Sequence, residues 1–96
     1  MKMEKTSENL FEKYFSMYAN AEANLLFNGF ETTHEEEGIS IYYKKNIIGK
    51  LVHDPERNHP TLYINKKYQG EGIDKFKVSV IKYLMEEDWS IKPVYL

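Results

Sequence analysis

Apolar residues recur at helical spacing in the first third of the chain. Leu10, Phe11, Tyr14, Phe15 and Tyr18 fall at i, i+1, i+4, i+5 and i+8. Ala21, Leu25 and Leu26 prolong that face, while Glu12, Lys13 and Asn20 lie off it. The spacing predicts a helix over about 7–27, capped by Thr6 or Ser7, with Glu8 in its first turn and Gly29 as the residue that ends it. Residues 1–6 precede the pattern and are expected to be disordered. Asn28-Gly29 also fits a two-residue hairpin turn joining 25–27 to 30–32.

From Phe30 the period changes to two. Phe30, Thr32 and His34 share one face of a weak strand over 30–36, and Glu35-Glu36-Glu37-Gly38 forms a turn. Ile39, Ile41 and Tyr43 alternate with Ser40, Tyr42 and Lys44, so Tyr42 and Tyr43 point to opposite faces of the next strand. Lys45-Asn46 is read as a tight turn, and 47–53 as the returning strand, with Gly49 placed for a bulge. A polar loop over 54–60, with prolines at 55 and 60, precedes a strand over 61–65. A second helix covers about 73–87. Phe76, Val80, Tyr83 and Leu84 form one apolar face, and Val78, Ile81 and Met85 form another. Apolar residues on two sides imply packing on a sheet and on a second element, for which the first helix is the candidate. Trp89 leads into a last strand over 91–95, where Pro93 suits an edge. Strand 61–65, the helix and strand 91–95 make a βαβ unit with parallel strands and a right-handed crossover. The fold class is therefore α+β or α/β. An N-terminal helix, antiparallel strands and a βαβ unit form one domain over 1–96.

Composition narrows the function more than the fold. A formal net charge of −2 argues against a protein that grips nucleic-acid backbone. The absence of cysteine excludes disulfides, thiolate zinc sites and a cysteine nucleophile. Lys2 and Lys5 are not followed by an apolar run, and no window approaches membrane-spanning length, so a cytoplasmic location is expected with no membrane partner. His53 and His59 flank a loop holding Asp54 and Glu56, but with His34 they match no established ligand spacing, and no metal is expected.

The stretch that suggests chemistry is 61–84, TLYINKKYQGEGIDKFKVSVIKYL. An apolar strand, Leu62-Tyr63-Ile64, runs into a turn carrying Gln69, Gly70 and Gly72, and a helix starts near Ile73. Such a helix start presents unpaired backbone N–H groups and the positive end of the helix dipole, which attract anions.

The segment from Leu62 to Ile73 resembles the acetyl-CoA-binding motif of GNAT-type N-acetyltransferases. That motif is a strand, then Gln/Arg-x-x-Gly-x-Gly/Ala, then a helix, and Gln69 and Gly72 occupy its first two defined positions. The resemblance spans about 30–95 and is nearest to the very small members of the family. It implies that backbone N–H groups of the turn hold a pyrophosphate, which glycines allow to approach closely. It also implies that the pantetheine arm runs beside the preceding strand, where N–H groups near Ile64 and Asn65 polarise the thioester carbonyl. The implied cofactor is acetyl-CoA, held by Ile64, Asn65, Gln69, Gly70, Gly72, Ile73 and Lys75. The implied reaction is acetyl transfer to an amine of a small molecule or protein. Strands 61–65 and 91–95 should then be neighbours that splay at their C-terminal ends. The chain departs from the family in three places. Asp74 stands where the family has Gly or Ala, the segments after Leu96 that carry a tyrosine general acid are missing, and Val94-Tyr95 stands near the place of a cysteine. His53 is the candidate general base, with Asp54 next.

Two other readings fit the same residues. Helix, three strands and helix also resembles a double-stranded-RNA-binding domain. Gly70, Gly72 and Lys75 match that family's Gly-x-Gly-x-Ser-Lys-Lys-x-Ala-Lys motif, and Asp74, Phe76 and Ser79 do not match its serine and two remaining lysines. A short, acidic, tyrosine-rich chain without a complete catalytic set also suits a protein-interaction module of the inhibitor or immunity type. The Glu35–Glu37 turn and Glu86-Glu87-Asp88 would then face a basic partner, or stand simply as solvated charge runs.

Overall fold

The structure, a computed structural model, describes the backbone of residues 2–36, 38–54, 56 and 58–96, and the side chains of these from Tyr14 onward. Helix α1 spans Lys2–Phe27. It starts before the expected position because Lys2-Met3-Glu4-Lys5 contains no glycine, proline or β-branched residue to stop it. The side chains of Thr6, Ser7, Leu10 and Phe11, assigned to its cap and apolar face, lie outside the described ones. The C-terminal end closes in a Schellman arrangement. Gly29 takes φ 88°, and the Phe30 N–H donates to the Leu25 carbonyl at 3.0 Å. This rules out the hairpin alternative at Asn28-Gly29. The inner face of α1 centres on Ala21 and Leu25, both fully buried. Leu26, expected on that face, lies about 100° further round and is 54% exposed.

Five strands follow: β1 (Glu31–Glu35), β2 (Gly38–Tyr43), β3 (Asn46–Asp54), β4 (His59–Asn65) and β5 (Ser90–Val94). They form one sheet in the order 1-2-3-4-5, antiparallel from β1 to β4 and parallel between β4 and β5. The β2–β3 turn lies one residue earlier than expected. Lys44 and Lys45 take φ 48° and 71°, and Tyr43 already pairs with Asn46. A two-residue hairpin loop matches strand twist only when both its residues have positive φ. A bulge falls beside Gly49, as its position in the strand suggested. Ile41 pairs with Gly49 and Tyr42 with Ile47, so Ile48 is the extra residue. A Cβ at Gly49 would lie 2.4 Å from the Tyr63 carbonyl oxygen, so the close approach needs glycine there.

Helix α2 comprises Ile73–Lys75, a π-helical stretch Phe76–Ile81, and Lys82–Glu86. In an α-helix, residues four apart drift round the axis by about 40° per step. The wider π stretch reduces that drift, and it keeps Phe76, Val80 and Leu84, all fully buried, turned to the sheet. The second apolar face does not pack as expected. Val78 and Met85 are 69% and 62% exposed. The domain is α+β, with both helices on one face of a mixed five-stranded sheet. Phe30 meets Phe76 edge-on at 5.4 Å, and Tyr18 of α1 meets Trp89 edge-on at 5.1 Å. Glu22 ties α1 to the edge strand. The Thr32 hydroxyl donates to its carboxylate at 2.7 Å and His34 lies at the same distance. The Thr32 bond above all, and then His34, hold the Glu22 carboxyl below its ordinary value.

No described element covers the other sheet face. Thr33, Ser40, Lys50, Tyr63 and Lys92 form one row across all five strands of it. At the β5 edge, Val94 O accepts from Lys66 N–H, so the alternation of the ladder turns Pro93 outward. Its missing N–H thus falls on the exposed edge, where it removes a donor another strand would use.

The Tyr18 hydroxyl is buried with no hydrogen-bond partner among the described residues, and burial pushes its pKa up to about 12. Tyr18→Phe is therefore expected to raise stability by about 1 kcal/mol at neutral pH. The folded pKa lies above the unfolded one. The wild-type phenol thus favours the folded state less and less as pH rises from about 10 to about 12, and the phenylalanine variant lacks this part of the alkaline loss. Urea titrations at pH 7 and above pH 10 check both parts. A variant less stable than wild type at pH 7 would mean that the hydroxyl has a partner.

Candidate functional site

The glycine turn sits at the C-terminal end of β4, between the sheet and the start of α2. Its geometry is set by its own side chains. Asn65 is buried; its amide donates to the Ile47 carbonyl at 2.9 Å, and its Oδ1 accepts from the N–H of Lys67 at 3.1 Å and of Leu96 at 3.4 Å. Tyr68 N–H donates to Asn65 O at 3.2 Å, and the Tyr68 hydroxyl donates to Glu71 O. Lys44 reaches across from the β2–β3 turn to Glu71 at 2.5 Å. That bond raises the lysine pKa and lowers the carboxyl, and both groups are exposed.

Gly72 is the N-cap of α2 at φ 85° and ψ −13°, with no side-chain cap, and its carbonyl accepts from Phe76 N–H at 2.8 Å. Both glycines lie against aromatic rings. A Cβ at Gly72 would come within 2.9 Å of the Tyr43 ring, and one at Gly70 within 3.1 Å of the Tyr68 hydroxyl. The space that glycine opens at this turn is therefore occupied by Tyr43 and Tyr68. Reading along the chain missed both. Tyr43 lies far away in sequence, and Tyr68 carries no spacing signal.

The residues expected to hold acetyl-CoA are brought to one end of the sheet but are differently engaged. Lys66 N–H donates to Val94 O at 2.7 Å, and pairing continues to Asn65 opposite Val94. The expected splay of β4 from β5 is absent, because this ladder and the Asn65 staple to Leu96 hold the ends together. By the same alternation the Ile64 N–H, expected to polarise a thioester, points into the β4–β5 ladder. Lys75 turns toward the end of α1, where its Nζ would lie 3.9 Å from a Cβ at Gly29. There it complements the negative end of that helix dipole. Gln69 and Asp74 are exposed and Ile73 is half-buried. Asp74 acts on the helix through the dipole alone, not as a cap.

The candidate base is not near this turn. His53 pairs with Pro60 at the other end of β4, and five residues of strand, about 17 Å, separate that position from Asn65. There His53 Nε2 meets Asn58 Oδ1 at 2.9 Å, and the Tyr14 ring stands 5.4 Å from His53 and 6.1 Å from His59. Asp54 is buried beside it and accepts from Glu56 N–H at 2.9 Å. Among the described residues no group of three or more His, Asp or Glu is disposed to hold a metal, and no helix is long and apolar enough to cross a membrane.

Set against known proteins, the chain matches no family model, no curated protein and no solved structure.

Proposed function

We propose that the chain is a non-catalytic protein-binding domain built on a GNAT-like order of elements, in which the acyl groove is closed by the domain's own strands. The observation that carries this reading is the continuous β4–β5 ladder through Asn65–Val94 and Lys66. Acetyl transfer would need those strands apart and the Ile64 N–H available. The sheet face that no described element covers is the binding surface in this reading. It is bipolar. Glu31 and Glu35 lie on the β1 side, Lys50 and Lys92 on the β3–β5 side, with Glu35 and Lys50 paired at 3.7 Å where the halves meet. Tyr42 and Tyr63 supply half-buried rings between them. The partner is a protein surface with the opposite arrangement of charge, which fixes the register of docking. Complexes captured from source cells should form with wild type and fail with Lys50→Glu/Lys92→Glu; equal capture by both would exclude this face.

The turn itself favours the second reading, retained acetyl-CoA binding, because a strand leads through Gly72, at φ 85°, into a helix, which is the order of elements in that motif. A thermal-shift series separates the two. At 100 times Kd a ligand adds about 2.7 kcal/mol. Wild type, Asp74→Asn and Asp74→Gly are all expected to show no shift at millimolar acetyl-CoA. Asp74→Asn should lose about 0.3–1 kcal/mol of stability through the helix dipole, and Asp74→Gly about 1 kcal/mol more through backbone entropy. A shift in wild type would restore the transferase reading. A shift in the variants alone would identify Asp74 as the block.

A further inference from the structure

The outward face of α1 lacks the charges that normally solvate such a face. Over residues 14–27 the sole carboxylate or ammonium is Glu22, and it is turned to Thr32 and His34. Phe15, Leu26 and Phe27 are 57%, 54% and 89% exposed, and Ala19 and Ala23 are exposed between them. A helix apolar on its inner and its outer side is ordinarily covered on both.

The outer residues are also ordered symmetrically. Phe15, Ala19, Ala23 and Phe27 are four apart, so among the described side chains they form one ridge, and they read large, small, small, large about the level of position 21. We propose that this ridge packs on the same ridge of a second copy, with a two-fold axis at the level of position 21. The axis sets Ala19 against the partner's Ala23 and Phe15 beside the partner's Phe27. Ridges of this spacing interdigitate at a crossing angle of about −50°. Crossed helices are closest at the crossing point and diverge on either side. Alanines at the crossing permit close approach. The phenylalanines, about 9 Å along the axis from it, fill the widening gap. A self-complementary ridge is what an isologous dimer requires, since each copy supplies both halves of the match. The three large side chains expose roughly 400 Å² per copy, against about 800 Å² per partner in a standard interface, so the dimer is a reversible one.

Sedimentation velocity from about 5 to about 500 µM, chosen to bracket the weak affinity of an interface this small, tests the assignment. Wild type should pass from monomer to dimer, while Ala23→Glu and Phe27→Glu stay monomeric with unchanged circular dichroism. Val78→Glu, on the outer face of α2, should still dimerise. The chain has no cysteine, so a mixture of Ala19→Cys and Ala23→Cys proteins should form the mixed disulfide in preference to either homodimer under mild oxidation. A wild type that remains monomeric throughout overturns the proposal. So does a dimer broken by Val78→Glu but not by Ala23→Glu, or one with no preference for the mixed disulfide.

Discussion

Phe76→Ala is expected to cost about 3–5 kcal/mol of folding stability, from lost transfer energy and the cavity left behind. The ring is fully buried and meets Phe30 edge-on at 5.4 Å, and Phe30 in turn lies 5.5 Å from Tyr43, the ring under Gly72. One side chain thus joins the start of α2, the end of α1 and the β2 strand. Such a loss is a large fraction of the roughly 5–15 kcal/mol that holds a domain together. Phe76→Leu should cost less than about 2 kcal/mol, because most of the volume remains. Urea titrations of both variants give the comparison. A loss below about 1.5 kcal/mol for the alanine variant would mean that the site collapses around the gap and that the aromatic chain is not the centre of the core.

Asn65→Ala is expected to cost about 1–3 kcal/mol, since it strands the Ile47 carbonyl and the N–H groups of Lys67 and Leu96 at a partly buried junction. Aspartate at this position separates the two halves of the effect. It can still accept from Lys67 and Leu96, but it sets a carboxylate against the Ile47 carbonyl in place of the amide donor. Hydrogen exchange adds a local readout. In the alanine variant the Lys67 and Leu96 amides should lose protection well before those at the middle of β4. Unchanged exchange at both amides, with stability within about 0.5 kcal/mol of wild type, would remove Asn65 from the role of staple.

Much of the fold was legible along the chain because its signals are local. The alternation of Ile39, Ile41 and Tyr43 placed β2, and Gly49 marked the bulge of β3. Gly29 ended α1, and the βαβ order gave the parallel pairing of β4 with β5. The misreadings came from an unusual local conformation and from groups distant in sequence. The Lys44-Lys45 turn differs from the expected one because two lysines adopt positive φ where asparagine and glycine are the usual signal. The glycine turn reads as an anion cradle in one dimension. In three it is lined by Tyr43, tied by Lys44 to Glu71 and stapled through Asn65. Nothing in the spacing of 61–73 encodes those partners. Leu26, Val78 and Met85 fit packed faces by spacing alone, because periodicity shows that a residue is apolar but not what covers it.

The strand order 1-2-3-4-5 bears on how the chain reaches its fold. The first three pairings join strands adjacent in sequence across loops of two, two and four residues, so hairpins can close in succession at low entropic cost. The β4–β5 pairing alone must wait for the whole of 66–89, including α2, to be spanned. Until then β4, the most buried of the strands, is an open edge. The slow step of folding and the interval of greatest exposure to intermolecular strand pairing therefore coincide. Both are governed by how quickly Phe76 and Leu84 settle α2 onto the sheet and deliver a strand whose outer edge already carries a proline.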